Sequence, residues 1–132
     1  MTDCIFCKIA GGEIPSAKVW ENDEFLAFLD ISPINPGHTL IIPKKHEDYL
    51  FDAPDELYSR LWKAAKDLAG PIRRATGAKK IGVIVEGFLV AHVHVHLIPL
   101  NSGGELDPCR AKKATTEELS TTAEKIKSEI NK

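Results

Sequence analysis

The chain has 132 residues, of which 43% are hydrophobic and 27% are charged, as expected for one globular domain that buries a core. Its formal net charge of -2 argues against nucleic-acid or membrane binding driven by electrostatics, and no apolar stretch is long enough to cross a bilayer. Three cysteines without a signal-peptide pattern predict a cytoplasmic protein whose cysteines act as thiols or metal ligands, not as a disulfide framework.

The N-terminal half consists of short predicted elements separated by prolines and glycines. A helix that includes Cys4-Ile5-Phe6-Cys7 can have only one or two turns, because a glycine pair and Pro15 interrupt it. Residues 18–29 have the pattern of a β-hairpin. Residues 30–37 contain two prolines and are predicted to form a loop, and residues 38–43 form the next strand.

The C-terminal half predicts one long helix, two strands and a final helix. Residues 54–76 carry apolar side chains at helical spacing, and Pro71 predicts a kink or break within that helix. Residues 80–85 and 90–100 are predicted strands. A capping-box spacing that begins at Thr115 starts a helix whose narrow apolar stripe packs on the domain or on a partner. Strands grouped with one long helix predict an α+β fold.

Three alternating histidines, at positions 92, 94 and 96, are the most informative residues of the chain. Alternate side chains of a strand share one face, so the three imidazoles lie together and the apolar residues between them face the other way. This pattern is compatible with a solvated polar face, a three-histidine zinc site, or a phosphate pocket. In the phosphate pocket, a neutral imidazole attacks through one nitrogen while an acceptor holds the proton on the other.

A second cluster joins the cysteine pair to histidine. Cys4 and Cys7 could form a redox pair, two buried thiols or half of a metal site. His46 follows a strand in a lysine-rich turn, where it is either a surface histidine or a metal ligand. Cys4, Cys7, His46 and one triad histidine would complete a zinc tetrahedron. Cys109 lies in a polar segment and has no evident partner.

Other residues near the predicted strand ends suggest a ligand pocket. His38 is either a core histidine bonded to the backbone or a group that orients the nucleophile. Asp30 could accept the two hydroxyls of a ribose or cap its own turn. A set of apolar residues could form a purine slot or could belong to the core. These residues are Ile5, Phe6, Ile9, Phe28 and Ile31.

Residues 92–98 resemble the H-φ-H-φ-H-φ-φ motif of the histidine triad (HIT) family of nucleotidyl hydrolases and transferases. Several segments of the first half resemble the bacterial, zinc-containing branch of that family in order and spacing. These segments are residues 4–8, 12–16, 28–31 and 36–46. The resemblance covers residues 3–100. We therefore expect residues 1–100 to form the HIT domain, and residues 101–132 to form a polar connection and a helix that packs on the domain or on a dimer partner.

The resemblance implies a HIT-like fold with a five-stranded antiparallel sheet, one long helix and an extra C-terminal helix, usually assembled as a homodimer. It implies hydrolysis at the α-phosphate of a purine nucleotide through a nucleotidyl-histidine intermediate. By position, His94 would be the nucleophile, His96 would contact the phosphate and His38 would be the upstream fourth histidine. Asp30 would hold the ribose of an AMP-like ligand, and the five apolar residues named above would surround the base.

The same resemblance implies that a structural zinc ion is held at four positions. These positions are Cys4, Cys7, His46 and His92. The assignment removes His92 from the catalytic roles, and it leaves the metal no open coordination position. A nucleotide is then the expected partner, with neither a membrane nor a nucleic acid.

One segment departs from the family pattern. Many members have an Asn-x-Gly turn and a Gly-Gln-Ser stretch before the triad, whereas residues 85–91 are shorter and lack the Asn, Gln and Ser. The leading hypothesis is a purine nucleotide hydrolase or nucleotidyltransferase that acts on a nucleoside phosphoramidate or another AMP conjugate. The alternatives are a dinucleoside polyphosphate hydrolase and a nucleotide-binding regulatory protein with weak catalysis, which the missing polar residues favour.

Overall fold

A five-stranded antiparallel sheet is the centre of the structure, a computed structural model that describes residues 3–132. Residues 1 and 2, with which the predicted domain begins, lie outside the described residues. The helices and strands are α1 (Ile5–Ala10), β1 (Lys18–Glu21), β2 (Phe25–Leu29), β3 (Thr39–Pro43), α2 (Asp55–Thr76), β4 (Lys80–Ile84), β5 (Val95–Leu100) and α3 (Thr116–Ile130). The predicted α+β class, the five antiparallel strands, the long helix and the C-terminal helix are confirmed.

The strand order is β1-β2-β3-β5-β4, so β5 lies between β3 and the edge strand β4. The predicted hairpin is present as β1 and β2, and the proline-containing loop leads from β2 to β3. Along one line across the sheet, Phe28 is opposite Leu40, Leu40 is opposite His96, and His96 is opposite Ile84. Directly opposed residues of an antiparallel pair project from the same face, so these four side chains form one row.

The two faces of the sheet differ in what covers them. One face, here called the helix face, packs against α2 and α3 in a single apolar core. Its strand residues include Phe25, Ala27, Leu29, Ile41, Val95 and Leu97, and Val93 joins them from just before β5. The opposite face, here called the site face, has a smaller apolar cluster under α1. That cluster contains Phe6, Leu26, Phe28, Leu40 and Ile42.

Helix α2 is continuous from Asp55 to Thr76, so the predicted break at Pro71 is wrong. A proline inside a helix removes one backbone hydrogen bond and costs about 3 kcal/mol. Leu68 and Ile72 flank this site and are both buried in the core, and their burial offsets that cost. Within residues 3–132, no helix has both the length and the apolar character needed to cross a membrane.

The predicted strand over residues 90–100 is too long, because β5 begins only at Val95. The backbone N–H of His92 donates to the carbonyl of Val90, and that of Val93 donates to the carbonyl of Glu47. These bonds replace ladder bonds, so His92 and His94 lie in an irregular segment just before the strand. The predicted alternation is nevertheless present, since Val93 and Val95 are in the core of the helix face.

The C-terminal segment is bonded to the loop between β2 and β3. The backbone N–H of Ala114 donates to the carbonyl of Ile31 at 2.9 Å, and Arg110 donates to the side-chain oxygen of Asn35 at 2.9 Å. Helix α3 then begins with a complete capping box between Thr115 and Glu118, as the spacing predicts. Its apolar stripe packs into the core of the helix face.

We expect Ile126→Ala to lower the free energy of unfolding by about 2–4 kcal/mol, because the Ile126 side chain is fully buried between α3 and the core. Urea denaturation followed by circular dichroism measures the change. Lys125→Ala alters the exposed side of the same helix and should change stability by less than about 0.5 kcal/mol. Equal stability of the two variants would mean that α3 does not contribute to the cooperative core.

Candidate functional site

A cavity of about 410 Å³ lies on the site face between α1, the loop after β2 and the residues before β5. Every residue that the sequence analysis placed in a catalytic or nucleotide-binding role lines this one cavity. These residues are His38, His94, His96, Asp30, Ile5, Phe6, Ile9, Phe28 and Ile31. The four predicted metal ligands form a separate group beside it.

The tautomer of His94 follows from its contact with the main chain. Nδ1 of His94 lies 2.7 Å from the carbonyl oxygen of His92. A carbonyl oxygen can only accept, so Nδ1 carries the proton and Nε2 keeps a free lone pair. The ring is buried and packs edge-on against Phe6, with 4.9 Å between the ring centroids. In the neutral form of this ring the lone pair is therefore on Nε2, and His94 lines the cavity.

His38 and His96 form a second chain of directed hydrogen bonds. The backbone N–H of Ile34 donates to Nδ1 of His38 at 3.1 Å, so His38 carries its proton on Nε2. That proton is donated to Nδ1 of His96 at 2.8 Å, which leaves Nε2–H of His96 as a free donor. His38 is thus buried and bonded to the backbone, the first of its two predicted roles, and its second contact is with His96. The carbonyl of His92 orients His94.

Both histidines of this chain are held in the neutral form. Burial lowers the pKa of His96 to about 3, and the neighbouring rings of His38 and His94 add to the effect. Burial also lowers the pKa of His38, and the nearby Asp30 carboxylate opposes that shift only in part. Neutral rings are consistent with the directed chain, because an additional proton on His96 would abolish the acceptor that His38 needs.

The two oxygens of the Asp30 carboxylate have different contacts. One carboxylate oxygen accepts from the backbone N–H of Ser32 at 2.8 Å, so the residue caps its own turn. The other oxygen lies 3.6 Å from Nε2 of His38. Asp30, His38 and His96 are close enough together to hold a metal ion. However, Nδ1 of His38 already accepts a hydrogen bond, so a metal on its Nε2 would require a doubly deprotonated ring, and we exclude that site.

The apolar residues predicted to surround a base are partly core and partly surface. Phe6 and Phe28 are buried and meet edge-on, with 5.8 Å between their ring centroids. Ile5 and Ile31 are exposed, and Ile31 has 64% of its surface accessible to solvent. Core packing therefore does not explain the whole set. The buried rings form the floor of a slot, and the exposed isoleucines stand at its mouth.

Cys4, Cys7, His46 and His92 lie together at the start of α1, with all their ligand atoms within 4.8 Å of one another. Nδ1 of His92 lies 3.3 Å from Sγ of Cys4 and 3.5 Å from Sγ of Cys7, and Nδ1 of His46 lies 3.2 Å from Sγ of Cys7. In a tetrahedral zinc site with ordinary bond lengths, the sulfur–nitrogen separation is about 3.5 Å. The donor set and its spacing both fit such a site.

The protonation of this group also suits a cation. Nε2 of His92 lies 2.8 Å from the carbonyl oxygen of Pro43, so it carries the proton, and Nδ1 presents its lone pair to the cysteines. Burial lowers the pKa of His92 and thereby keeps the ring neutral. Burial, together with Cys4, raises the pKa of the Cys7 thiol. A thiolate pair at this place therefore requires a compensating positive charge.

Some residues of the cavity were not predicted. Leu40 and Ile84 flank His96 in the row across the sheet, and Phe88 and Leu89 stand at the rim. The alternation of side chains along β3 and β4 is the sequence signal that could have predicted Leu40 and Ile84. Pro108 also lines the cavity, together with Ala111, although the sequence suggested only a polar, irregular connection there. Cys109 is exposed.

The comparisons with known proteins agree with this geometry. The model of the HIT domain matches residues 11–103, well over half of the chain. The chain belongs to the HIT family. A relative from Saccharomyces cerevisiae, an adenosine 5'-monophosphoramidase, is 45% identical over 101 residues, which are 73% of this chain and 61% of the relative.

Two solved structures are similar over nearly the whole HIT chain. One is a Hit-like protein from Bartonella henselae, with a TM-score of 0.85 and 36% identity, and the match covers 98% of each chain. The other is a zinc-bound histidine triad family protein from Mycobacterium smegmatis. It has a TM-score of 0.85 and 26% identity, and the match covers 98% of this chain and 94% of that one. The predicted membership of the family and its zinc-containing bacterial branch is confirmed.

The lowered pKa of His96 predicts a specific pH dependence of stability. The pKa is about 3 in the folded chain, below the ordinary value of 6.5 that applies after unfolding. Between these values the unfolded state binds more protons, so the contribution of His96 is present above pH 6.5 and is lost as the pH falls towards 3. We expect wild type to lose more stability than His96→Gln between pH 7 and pH 5, as measured by urea midpoints. Equal losses would contradict the assigned neutral state.

Proposed function

We propose that this protein is a nucleotide hydrolase or nucleotidyltransferase that attacks the α-phosphate of a purine nucleoside phosphoramidate or a related AMP conjugate. The observation that carries the proposal is the hydrogen bond from Nδ1 of His94 to the carbonyl of His92. It places a proton on Nδ1, so the neutral form of this buried ring has its lone pair on Nε2, in a cavity that has an apolar slot beside it. The adenosine 5'-monophosphoramidase activity named for the yeast relative supports the same reaction type.

In this proposal the cavity holds the base, the ribose and the phosphate of an AMP moiety by separate contacts. The base enters the slot above Phe6 and Phe28, and the ribose hydroxyls meet the free oxygen of Asp30. The phosphoryl oxygens accept from Nε2–H of His96, which His38 holds in place through a 2.8 Å hydrogen bond. Burial of the phosphate among neutral donors strengthens each of these hydrogen bonds relative to water.

The reaction then proceeds in two displacements at phosphorus. Nε2 of His94 forms a bond to phosphorus, the phosphorus–nitrogen bond to the amine breaks, and the amine leaves with a proton taken from solvent, which the hydrolytic water of the second step returns. Water next attacks phosphorus, and the bond to His94 breaks, which releases AMP and restores the neutral ring. Overall, water supplies the oxygen gained by AMP and the proton gained by the amine. The hydrogen bond to the carbonyl of His92 stabilises the positive charge that the ring develops during each step.

We propose that zinc is held by Cys4, Cys7, His46 and His92 and that its role is structural. Four protein ligands complete a tetrahedron and leave no position for substrate. When bound, the ion supplies positive charge to the thiolates and ties α1 to the residues that precede β5. The zinc-bound relative from Mycobacterium smegmatis supports this assignment.

We further propose a homodimer. Strand β4 pairs with β5 on one side only among the described residues, so its other edge presents unpaired backbone groups. Val83 and Val85 at this edge are 44% and 36% exposed. Pairing with a second copy would cover both the backbone edge and the apolar side chains.

A second candidate is a nucleotide-binding protein with weak catalysis. Residues 85–91 offer no amide or hydroxyl side chain to the phosphate or the leaving group. Tight binding of AMP without turnover of any conjugate would favour this candidate. The remaining alternative is hydrolysis of dinucleoside polyphosphates. Comparing the hydrolysis rates of diadenosine tetraphosphate and of a phosphoramidate distinguishes it from the leading proposal.

We expect His94→Ala to reduce the release of AMP from an adenosine phosphoramidate by about 10⁴-fold or more, because the attacking group is lost. AMP release is followed by chromatography, and AMP affinity is measured on the same samples by calorimetry. Phe51→Ala, which truncates an exposed side chain outside the cavity, should leave the rate unchanged. Wild-type turnover by the His94 variant, with AMP binding intact, would remove the nucleophile assignment.

We expect about one zinc ion per chain in protein purified with reduced cysteines, measured by plasma emission spectrometry. Cys4→Ser and Cys7→Ser should each release the metal and lower the thermal midpoint, since a structural site contributes directly to stability. Cys109→Ser is the matched control, because this thiol is exposed and is not part of the ligand group. Full zinc content in both ligand variants would contradict the proposed site.

A further inference from the structure

The row of opposed residues across the sheet shows how the parts of the cavity are arranged. Phe28 and Leu40 lie on one side of His96, and Ile84 lies on the other side. The first pair belongs to the proposed base slot, and His96 is the proposed phosphate donor. A substrate held at both places must extend its leaving group away from the slot. Ile84 and residues that follow it line the cavity on the side of His96 away from the slot.

The segment after Ile84 presents apolar side chains to this part of the cavity. Phe88 and Leu89 line the cavity, yet 88% and 99% of their surfaces are exposed. Large apolar side chains that remain uncovered at the rim of a functional cavity are typical of a binding surface. Val90 lies deeper, where it packs against the apolar cluster under α1.

The charged residues on this side of the cavity disfavour an anionic leaving group. Glu86 is the only charged residue among the cavity-lining residues 84–90, and its carboxylate repels a second phosphate chain. Arg110, Lys112 and Lys113 do not line this cavity. They line a different one of about 600 Å³, between residues 29–38 and the start of α3. Among the described residues that line the cavity, none is a lysine or arginine that could meet a polyphosphate on this side.

We propose that Ile84, Phe88 and Leu89 form a subsite for an apolar leaving group, so that the preferred substrates are nucleoside phosphoramidates of amines with an aromatic or branched aliphatic body. The inference rests on the proposed function and specifies its substrate class. The apolar rim contacts the departing amine and discriminates against acidic amines and against dinucleoside polyphosphates.

The test compares three adenosine phosphoramidates that differ only in the amine: phenethylamine, ethanolamine and β-alanine. We expect kcat/KM to be about tenfold or more higher for the phenethylamine conjugate than for the other two. The double variant Phe88→Gln with Leu89→Ser should bring the three values close together, mainly by lowering the value for phenethylamine. Phe51→Gln, at an exposed phenylalanine outside the cavity, should preserve the preference.

The possible outcomes separate the inference from the function on which it rests. If no phosphoramidate is hydrolysed, the proposed function itself is wrong. If all three are hydrolysed at equal rates, or the preference survives in the double variant, the function stands and the apolar subsite is wrong. Light scattering reports the mass of each variant. A double variant that changes in mass and loses activity equally on all three substrates would assign Phe88 and Leu89 to an interface between copies and overturn the subsite.

Discussion

The hydrogen bond between Nδ1 of His94 and the carbonyl of His92 is the interaction on which the candidate site depends. A neutral imidazole exchanges readily between two tautomers, and only one of them presents a lone pair to the cavity. A backbone carbonyl cannot donate, so it selects that tautomer without adding a charge nearby. The main chain thus orients the ring without a charged partner beside it.

This interaction requires the irregular segment before β5. In a regular ladder, the carbonyl of His92 would point to a neighbouring strand or be committed to its partner. Instead, the N–H of Val93 reaches Glu47 and the ladder begins only at Val95. The carbonyl of His92 is then free to turn back towards the ring two residues later. The apolar residues between the histidines anchor the segment in the core of the helix face, so the departure from regular structure does not make it loose.

The sequence predicts the direction of side chains in this protein better than it predicts which distant residues contact one another. The alternation of residues 92–96 is local, and it correctly separates the imidazoles from Val93 and Val95. The partner of His38 lies 58 residues away, and no periodicity indicates that it is His96 and not His94. The sequence also does not predict that Pro108 lines the cavity, because its segment has no repeating pattern. Single contacts, such as that of Arg110 with Asn35, position this segment. Helix α2 runs through Pro71 because tertiary burial outweighs a local signal.

His92 connects the two halves of the site through three separate atoms. Its Nδ1 faces Cys4 and Cys7, its Nε2 donates to the carbonyl of Pro43, and its own carbonyl accepts from His94. The residue is fully buried, so it cannot move without disturbing all three contacts. A displacement at the cysteine pair therefore reaches His94 through one buried residue. The group of Cys4, Cys7, His46 and His92 thus helps to fix the place of the carbonyl that selects the tautomer of His94.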